Sequence, residues 1–278
     1  MKYGKLSALM LFVLLFMVLP AAGESGSPFS FAMSSVKEID ISLVSESLSI
    51  VERGTDSIEI IIKTNKSSAY DPEISCAGGR LVIIQRNGRL PVGYQGEVEI
   101  RVPSSFALLE GKGWIIRTVS GSITADRLCA HVITAGAISG SLKFNDVQCL
   151  EVLDVSSISG SIDISGSMVK LLASSKSGKI DVQGTALEIY SDNTSGSIKM
   201  SLDKPILFDS VFETVSGSIS IAMPEHPGFS HNYRSVSGSI KNDFTGFSGS
   251  DKGVIVYKTG QVFIETKSVS GSIKIEKR

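Results

Sequence analysis

The stretch that decides the fold reads Thr214-Val215-Ser216-Gly217-Ser218-Ile219-Ser220-Ile221. It recurs with small changes, and eight copies can be aligned on their central glycines, which are Gly121, Gly140, Gly160, Gly178, Gly196, Gly217, Gly238 and Gly271. Successive glycines are 19, 20, 18, 18, 21, 21 and 33 residues apart. A unit of this length is too short to be a domain. The spacing therefore indicates a stacked array in which each unit buries its apolar face against its neighbours.

The alignment also predicts which side chains point inward. With the glycine as position zero, position −1 is Ser in all eight copies, position +1 is Ser in all but Lys179, and position +2 is Ile in all but Leu142. Positions −2, zero, +2 and +4 are mostly apolar or glycine, so we expect them to share one face of a strand, with the serines on the other. A change of parity upstream predicts a bend near position −4. The glycine either leaves room where two walls approach or supplies an unusual backbone conformation.

These patterns predict an all-β fold, a single-chain β-solenoid with about 20 residues per coil, in which the isoleucines stack in a shared interior. An antiparallel β-sandwich would explain the alternation but not the constant Ser-Gly-Ser-Ile register. The 33-residue interval contains an insertion over 244–254, and the strands over 260–264 and 269–275 are expected to close the array.

The rest of the chain divides into three segments. Residues 1–23 have a basic start, an apolar run over 6–19 and small residues before Glu24, which predicts a signal peptide cleaved after Gly23. An uncleaved anchor is the alternative. Residues 24–35 are expected to be a flexible tail, and residues 111–278 are expected to be the solenoid repeats. Residues 36–110 are predicted to form an irregular N-terminal β region that covers the first coil, with a turn at Asn87-Gly88.

Composition argues against several functions. The net charge is −1 and no basic run appears, so nucleic acid is not an expected partner. No phosphate-binding or dinucleotide-binding glycine motif occurs, so no cofactor is expected.

No catalytic or metal-binding set is predicted either. His226 and His231 could form a metal pair, but isolated histidines are the preferred interpretation. Asp126, Asp146 and Asp154 lie at different offsets in their repeats and are interpreted as solvated turn residues. We therefore expect no enzyme activity. A polysaccharide-active enzyme would need two or three carboxylates clustered in one outer groove.

Cys129 and Cys149 are 20 residues apart, and each lies 11 residues before its repeat glycine. We expect them to stack on neighbouring coils, about 4.8 Å apart, within reach of a disulfide. Buried free thiols that act as small apolar side chains are the favoured alternative. Cys76 is the remaining cysteine.

The repeats at 118–123, 214–223 and 268–275, and the segment Val98-Glu99-Ile100-Arg101-Val102-Pro103, resemble a bacterial putative-adhesin family of unknown function with Thr-Val-Ser-Gly-(Asp/Ser)-Ile repeats. The resemblance covers about 36–278. It implies a right-handed β-helix-like solenoid outside the cytoplasm and suggests adhesion. It offers no catalytic residues, and this chain has Ser where Asp is common after the glycine.

The sequence thus predicts an exported, non-enzymatic cell-envelope or surface protein, located in the periplasm, on the cell surface or outside the cell. It would act as an adhesin-like binding module or a structural scaffold, with an envelope polymer, a glycan or another surface protein as candidate partner. The alternatives are a polysaccharide-binding or polysaccharide-active β-helix protein and a scaffold that self-assembles through its coil ends.

Overall fold

The structure, a computed structural model, describes residues 28–85, 90–104 and 112–278. The predicted signal peptide and the Asn87-Gly88 turn lie outside these residues. The described chain is all β-strand apart from loops and two short 3-10 turns, Met33–Ser35 and Ser68–Tyr70, so the predicted all-β class is confirmed. None of its helical segments is long and apolar enough to cross a bilayer.

The N-terminal part contains seven strands. They are β1 (Phe29–Ala32), β2 (Glu38–Leu43), β3 (Ser47–Arg53), β4 (Ser57–Thr64), β5 (Glu73–Ala77), β6 (Arg80–Ile84) and β7 (Gly96–Pro103).

The repeat region contains fifteen strands. They are β8 (Gly113–Thr118), β9 (Ile123–Asp126), β10 (Cys129–Ala137), β11 (Leu142–Ser157), β12 (Ile162–Ser175), β13 (Ile180–Asn193), β14 (Ile198–Leu202), β15 (Ser210–Ser216), β16 (Ile219–Met223), β17 (Gly228–Ser237), β18 (Ile240–Asn242), β19 (Phe247–Gly249), β20 (Lys252–Lys258), β21 (Val262–Ser270) and β22 (Ile273–Lys277).

Each coil places the strand before its Ser-Gly-Ser corner in one face, sheet A, and the strand after the corner in a second face, sheet B. Equivalent strands of successive coils pair in parallel and in register. Sheet B carries the predicted isoleucine ladder, in which Leu142, Ile162, Ile180, Ile198 and Ile219 are stacked partners, each fully buried. The central prediction from the sequence, that like residues stack on like in a dry interior, is confirmed.

The sharp corner requires glycine because neighbouring coils approach closely there. A Cβ atom at Gly160 would lie 1.9 Å from the carbonyl oxygen of Gly140, and one at Gly178 would lie 1.9 Å from that of Gly160. Cβ atoms are not accommodated at such distances. Of the two roles predicted for this glycine, the need for space is the one that the structure shows. At the second corner of the coil, Gly166 and Gly184 combine an equally close backbone approach with φ values of +136° and +119°.

Two details of the predicted coil are wrong. The strands of sheet A continue without a bend through position −4, where Ser156 pairs with Ser174 and Ser174 with Asp192. The chain turns only at positions −2 to zero, which leaves the apolar residue at −2, such as Ile158, exposed.

Position −3 is buried instead and carries a polar side chain in most coils. The N–H of Gly160 donates to Ser157 Oγ at 2.9 Å, and the N–H of Gly178 donates to Ser175 Oγ at 2.9 Å. A small hydroxyl at position −3 therefore accepts a hydrogen bond from the glycine N–H that the turn removes from the strand ladder.

The segment 36–110 is more regular than the sequence suggested. Strands β2 and β3 pair in parallel with β8 and β9 and form a complete coil, which turns at Ser45-Glu46-Ser47 instead of Ser-Gly-Ser. Strands β6 and β7 form a further coil outside it. The array was predicted to begin near residue 111 because the first corner lacks the glycine that marks the others.

The predicted tail over 24–35 is also partly structured. Its described portion contains β1, which pairs antiparallel with β4, with Phe29 opposite Ile60. Phe29 and Phe31 pack against the hydrophobic core, which explains why this Ser-rich segment is ordered.

The order of coils in space departs from the order in the chain at both ends. Strands β21 and β22 lie between β15–β16 and β17–β18, so the C-terminal segment occupies the penultimate layer and does not close the array. Likewise β2–β3 lie between β6–β7 and β8–β9. Antiparallel strands cover the outermost coils: β4 and β5 at one end, β19 and β20 at the other.

The corner contact predicts a large difference between two glycine-to-alanine substitutions. Gly160→Ala places its Cβ against the Gly140 carbonyl and should lower the free energy of unfolding by about 2–3 kcal/mol, the usual cost of overpacking. Gly54→Ala, where the added Cβ meets nothing within 4 Å, is the control. Urea unfolding of both variants measures the effect, and equal stabilities would contradict the corner argument.

Candidate functional site

The exposed residues at position −2 form one wall of a groove along the array. We call it the corner groove; its floor is position −4 and its wall is position −2 of successive coils. A cavity of about 650 Å³ occupies its N-terminal part and is lined by residues of five coils. The floor there is small at Gly136 and Ser156 and basic at Arg117, and the wall is apolar, with Val119, Ile138 and Ile158.

A second cavity of about 370 Å³ lies near the other end of the array, at the same offset from the corner. Its wall contains the exposed side chains of Val215, Val236 and Val269 together with Thr194. Its floor is charged, because Asp192, Glu213, Lys267 and Arg234 occupy position −4 of four coils that neighbour one another in space. The wall is therefore apolar in the larger cavity and, apart from Thr194, in the smaller one, whereas exposed Lys176 holds position −2 of the coil between the two cavities.

Two carboxylates meet in this second cavity. Asp192 and Glu213 are in-register partners on β13 and β15, and Lys267 Nζ lies 2.8 Å from Glu213 Oε1. Burial, and secondarily the charge of Glu213, raise the pKa of Asp192. The sequence analysis did not identify this pair, although each residue lies four positions before its repeat glycine.

The three carboxylates that were interpreted as turn residues occupy different settings. Asp146 has a φ of +52° at a register irregularity within β11, and Asp126, the last residue of β9, accepts a hydrogen bond from Asn145 Nδ2. Asp154, in contrast, lies in the middle of a sheet A strand, within the larger cavity of the corner groove. Burial raises the pKa of Asp154, so the turn interpretation is wrong for this residue.

The outer face of sheet B is polar and bears the serines at +1. Asp163 and Asp181 are in-register neighbours there, and Lys179, the one departure from Ser at +1, contacts the Asp181 carboxylate. Asp163 Oδ2 accepts from Ser161 Oγ at 3.1 Å. Among the described residues, no group of three or more His, Cys, Asp and Glu side chains is arranged to hold a metal ion.

The two histidines considered as a metal pair each have other partners. His226 Nε2 lies 2.6 Å from the carbonyl oxygen of Ile206, and its Nδ1 accepts from the Gly228 N–H at 2.9 Å. His231 is fully buried, with Nε2 2.8 Å from Thr266 Oγ1 and Nδ1 3.4 Å from Asn242 Nδ2. Both rings therefore form hydrogen bonds with backbone and side-chain groups at the β17 end of the array.

The predicted stacking of the cysteine pair is wrong by one residue. Cys149 pairs with Ala130, and Cys129 pairs with Gln148, because a register shift follows Ala130. All three cysteines are free thiols. Cys149 belongs to the hydrophobic core, where burial raises its pKa to about 11, which agrees with the interpretation of a small apolar side chain.

Comparison with known proteins identifies a protein family and several solved structures that this chain resembles. The family model described as Toastrack DUF4097 matches residues 36–276. A putative adhesin from Parabacteroides merdae ATCC 43184 is similar in structure, with a TM-score of 0.54, 13% sequence identity, and coverage of 90% of this chain and 95% of that one. A putative adhesin from Parabacteroides distasonis ATCC 8503 has a TM-score of 0.53, 12% identity, and coverage of 90% and 96%. No curated protein sequence matches. At these identities the likeness concerns the fold alone.

Burial of His231 predicts how stability depends on pH. Burial lowers its pKa to about 4 from the ordinary value of about 6.5, so the unfolded chain binds the proton more tightly than the folded one. This contribution is present above pH 6.5 and is lost as the pH falls towards 4, by about 3 kcal/mol over the full interval. Urea unfolding across this range measures it.

His231→Gln keeps a neutral donor at every pH, and its unfolding free energy should fall less steeply than that of the unsubstituted chain. Some slope will remain, because burial also lowers the pKa of His226. The same slope in both proteins would contradict the assignment.

Proposed function

The chain belongs to the Toastrack DUF4097 family, and on that premise we propose that it is an exported, non-enzymatic binding module of the cell envelope that holds an extended polymer in the corner groove. The carrying observation is the larger cavity of the corner groove, which crosses five neighbouring coils and has an apolar wall of Val119, Ile138 and Ile158. Right-handed winding and a coil of about 20 residues are part of the same proposal.

The dimensions and chemistry of the groove support an extended ligand. Five coils spaced about 4.8 Å apart give the larger cavity a length of roughly 20 Å, enough for several sugar units or peptide residues. The small floor at Gly136 and Ser156 leaves room for a chain to lie flat. The apolar wall can cover a sugar ring or an apolar side chain, while the neighbouring hydroxyls and Asp154 can hydrogen-bond to it.

Export is supported by the predicted signal peptide, and adhesion by the resemblance of the repeats. The paired carboxylates do not occur in the larger cavity, which contains Asp154 as its one carboxylate among the described lining residues. Binding of a polymer without its cleavage is the simplest activity for such a groove.

Blocking the floor of the groove tests this function. Ser156→Arg projects a long side chain into the larger cavity and should weaken binding to envelope fractions or arrayed glycans at least tenfold, about 1.4 kcal/mol. Ser218→Arg, at an exposed position on sheet B, is the matched control and should bind normally. The proposal fails if the unsubstituted chain binds no envelope polymer, or if both variants bind equally.

A second candidate function, a polysaccharide-active enzyme, is favoured by one observation, the Asp192–Glu213 pair. A carboxyl group with a raised pKa beside an ion-paired carboxylate is the arrangement of an acid and a base in glycoside hydrolysis. The neighbouring apolar wall would then hold the substrate.

Substitution of the proposed acid distinguishes the enzyme from the binding module. If the chain cleaves a polysaccharide, Asp192→Asn should reduce the release of reducing ends about 100-fold or more, whereas Asp163→Asn on sheet B should not. If the unsubstituted chain releases no reducing ends from polysaccharides that it binds, the enzyme candidate fails and the binding module stands.

A further inference from the structure

The smaller cavity, of about 370 Å³, has acidic side chains at one end of its floor and basic side chains at the other. In space, position −4 of successive coils is occupied by Asp192, Glu213, Lys267 and Arg234, and Lys252 on β20 lies in register with Arg234. Unlike charges face each other at the centre of this row, where Lys267 Nζ lies 2.8 Å from Glu213 Oε1. The row is therefore polarised along the array.

Like charges lie side by side at both ends of the row. Asp192 and Glu213 are in register on adjacent strands, and so are Arg234 and Lys252. Like charges in directly opposite positions destabilise a sheet, so the stability of the fold does not account for either pair. Burial and then the charge of Glu213 raise the pKa of Asp192, as such a repulsion requires. A ligand with a cation at one end and an anion at the other would relieve both repulsions.

The two outer groups of the cavity are accessible to such a ligand. In the part of the chain that the structure describes, no ion pair joins Asp192 or Arg234 to another side chain, and both residues are exposed. Lys267, in contrast, also contacts Glu265, with Nζ 3.1 Å from Oε1. The centre of the row is thus neutralised within the chain, whereas its two ends keep their charges.

The distance between these ends selects the class of ligand. Asp192 and Arg234 are three strand spacings apart, about 14 Å. An extended peptide spans about 3.3–3.6 Å per residue, so the terminal ammonium and carboxylate of about four residues have this separation. A neutral polysaccharide has no charged group for either end.

Each part of a short peptide finds a matching group in the cavity. Its ammonium can donate to the Asp192 carboxylate, and its carboxylate can accept two parallel hydrogen bonds from the Arg234 guanidinium. Its side chains can pack on the exposed valines of the wall, Val215, Val236 and Val269. We propose that the smaller cavity binds a linear peptide of about four residues with free termini, its ammonium at Asp192 and its carboxylate at Arg234.

This site is separate from the one to which polymer binding is assigned. Exposed Lys176 holds position −2 of the coil between the two cavities. The peptide site also gives the Asp192–Glu213 pair a role in which no bond is cleaved. The inference therefore depends neither on polymer binding in the larger cavity nor on glycoside hydrolysis.

Isothermal titration calorimetry of the chain beginning at Glu24, which contains every described residue, tests the peptide site. The probes are tetra-alanine, its N-acetylated form, its C-terminal amide and the form blocked at both ends. The unsubstituted chain should bind tetra-alanine with a dissociation constant below about 1 mM, and each block should raise that constant at least tenfold because it removes one terminal charge.

Two substitutions assign the termini to their partners. Asp192→Asn should weaken binding of tetra-alanine at least tenfold and make acetylation of the peptide without further effect, whereas amidation should still weaken binding. Arg234→Gln should give the converse result. Lys199→Gln, which removes an exposed charge on sheet B, is the control and should bind all four probes as the unsubstituted chain does. Circular dichroism checks that each variant keeps its strands.

Three results would overturn the inference. The first is an unsubstituted chain that binds no tetra-alanine at up to about 5 mM. The second is equal binding of tetra-alanine and of the form blocked at both ends. The third is a pair of variants, Asp192→Asn and Arg234→Gln, in which both blocks act as strongly as in the unsubstituted chain. Failure here leaves the polymer-binding function intact, because that function depends on the larger cavity.

Discussion

The close approach of backbone to backbone at the Ser-Gly-Ser corner is the constraint on which the rest of the structure depends. Each corner glycine lies so near the carbonyl oxygen of the coil before it that no side chain fits between them. This contact holds successive coils in one register, because a shift of even one residue would bring a Cβ atom into the gap. Register at the corner in turn aligns the strands on both sides of it. The isoleucine ladder, the buried hydroxyls at −3 and the exposed wall at −2 all follow from that alignment.

The sequence was sufficient to predict the stacked, all-β architecture, the inward isoleucines and the special role of glycine. It misled at position −2, because a valine in an alternating pattern is ordinarily an inward residue. Because the chain turns at the corner, that residue leaves the strand, and a hydroxyl side chain such as that of Ser157 occupies the buried position instead. Alternation alone would place this hydroxyl in solvent. The outer surfaces were consequently misjudged, since the apolar wall of the corner groove consists of residues that had been assigned to the core.

The spatial order of the last coils could not be predicted from the sequence for a related reason. Residues 235–240 and 268–273 carry the same Ser-Val-Ser-Gly-Ser-Ile motif, so either copy satisfies the corner contact equally well. What decides the order lies in the connections. The loop after β20 crosses the start of β17 at Gly228, where a Cβ would lie 2.1 Å from Thr259 Oγ1, and this crossing delivers β21 to the inner side of β17. A repeat motif specifies the layer, whereas the connections outside the motif specify the order.

The placement of β2 and of the C-terminal strand β22 in penultimate layers has a mechanical consequence. In a simple solenoid, tension on a terminus peels the outermost coil away, one hydrogen bond after another. Here β2 and β22 each have hydrogen-bonded neighbours on both sides. A pull on the C-terminal end of the described chain must slide β22 out from between two strands and so loads many bonds together, and a pull on the N-terminal end meets the same arrangement at β2 once β1 has left β4. An array built in this way is suited to bearing force while it is tethered.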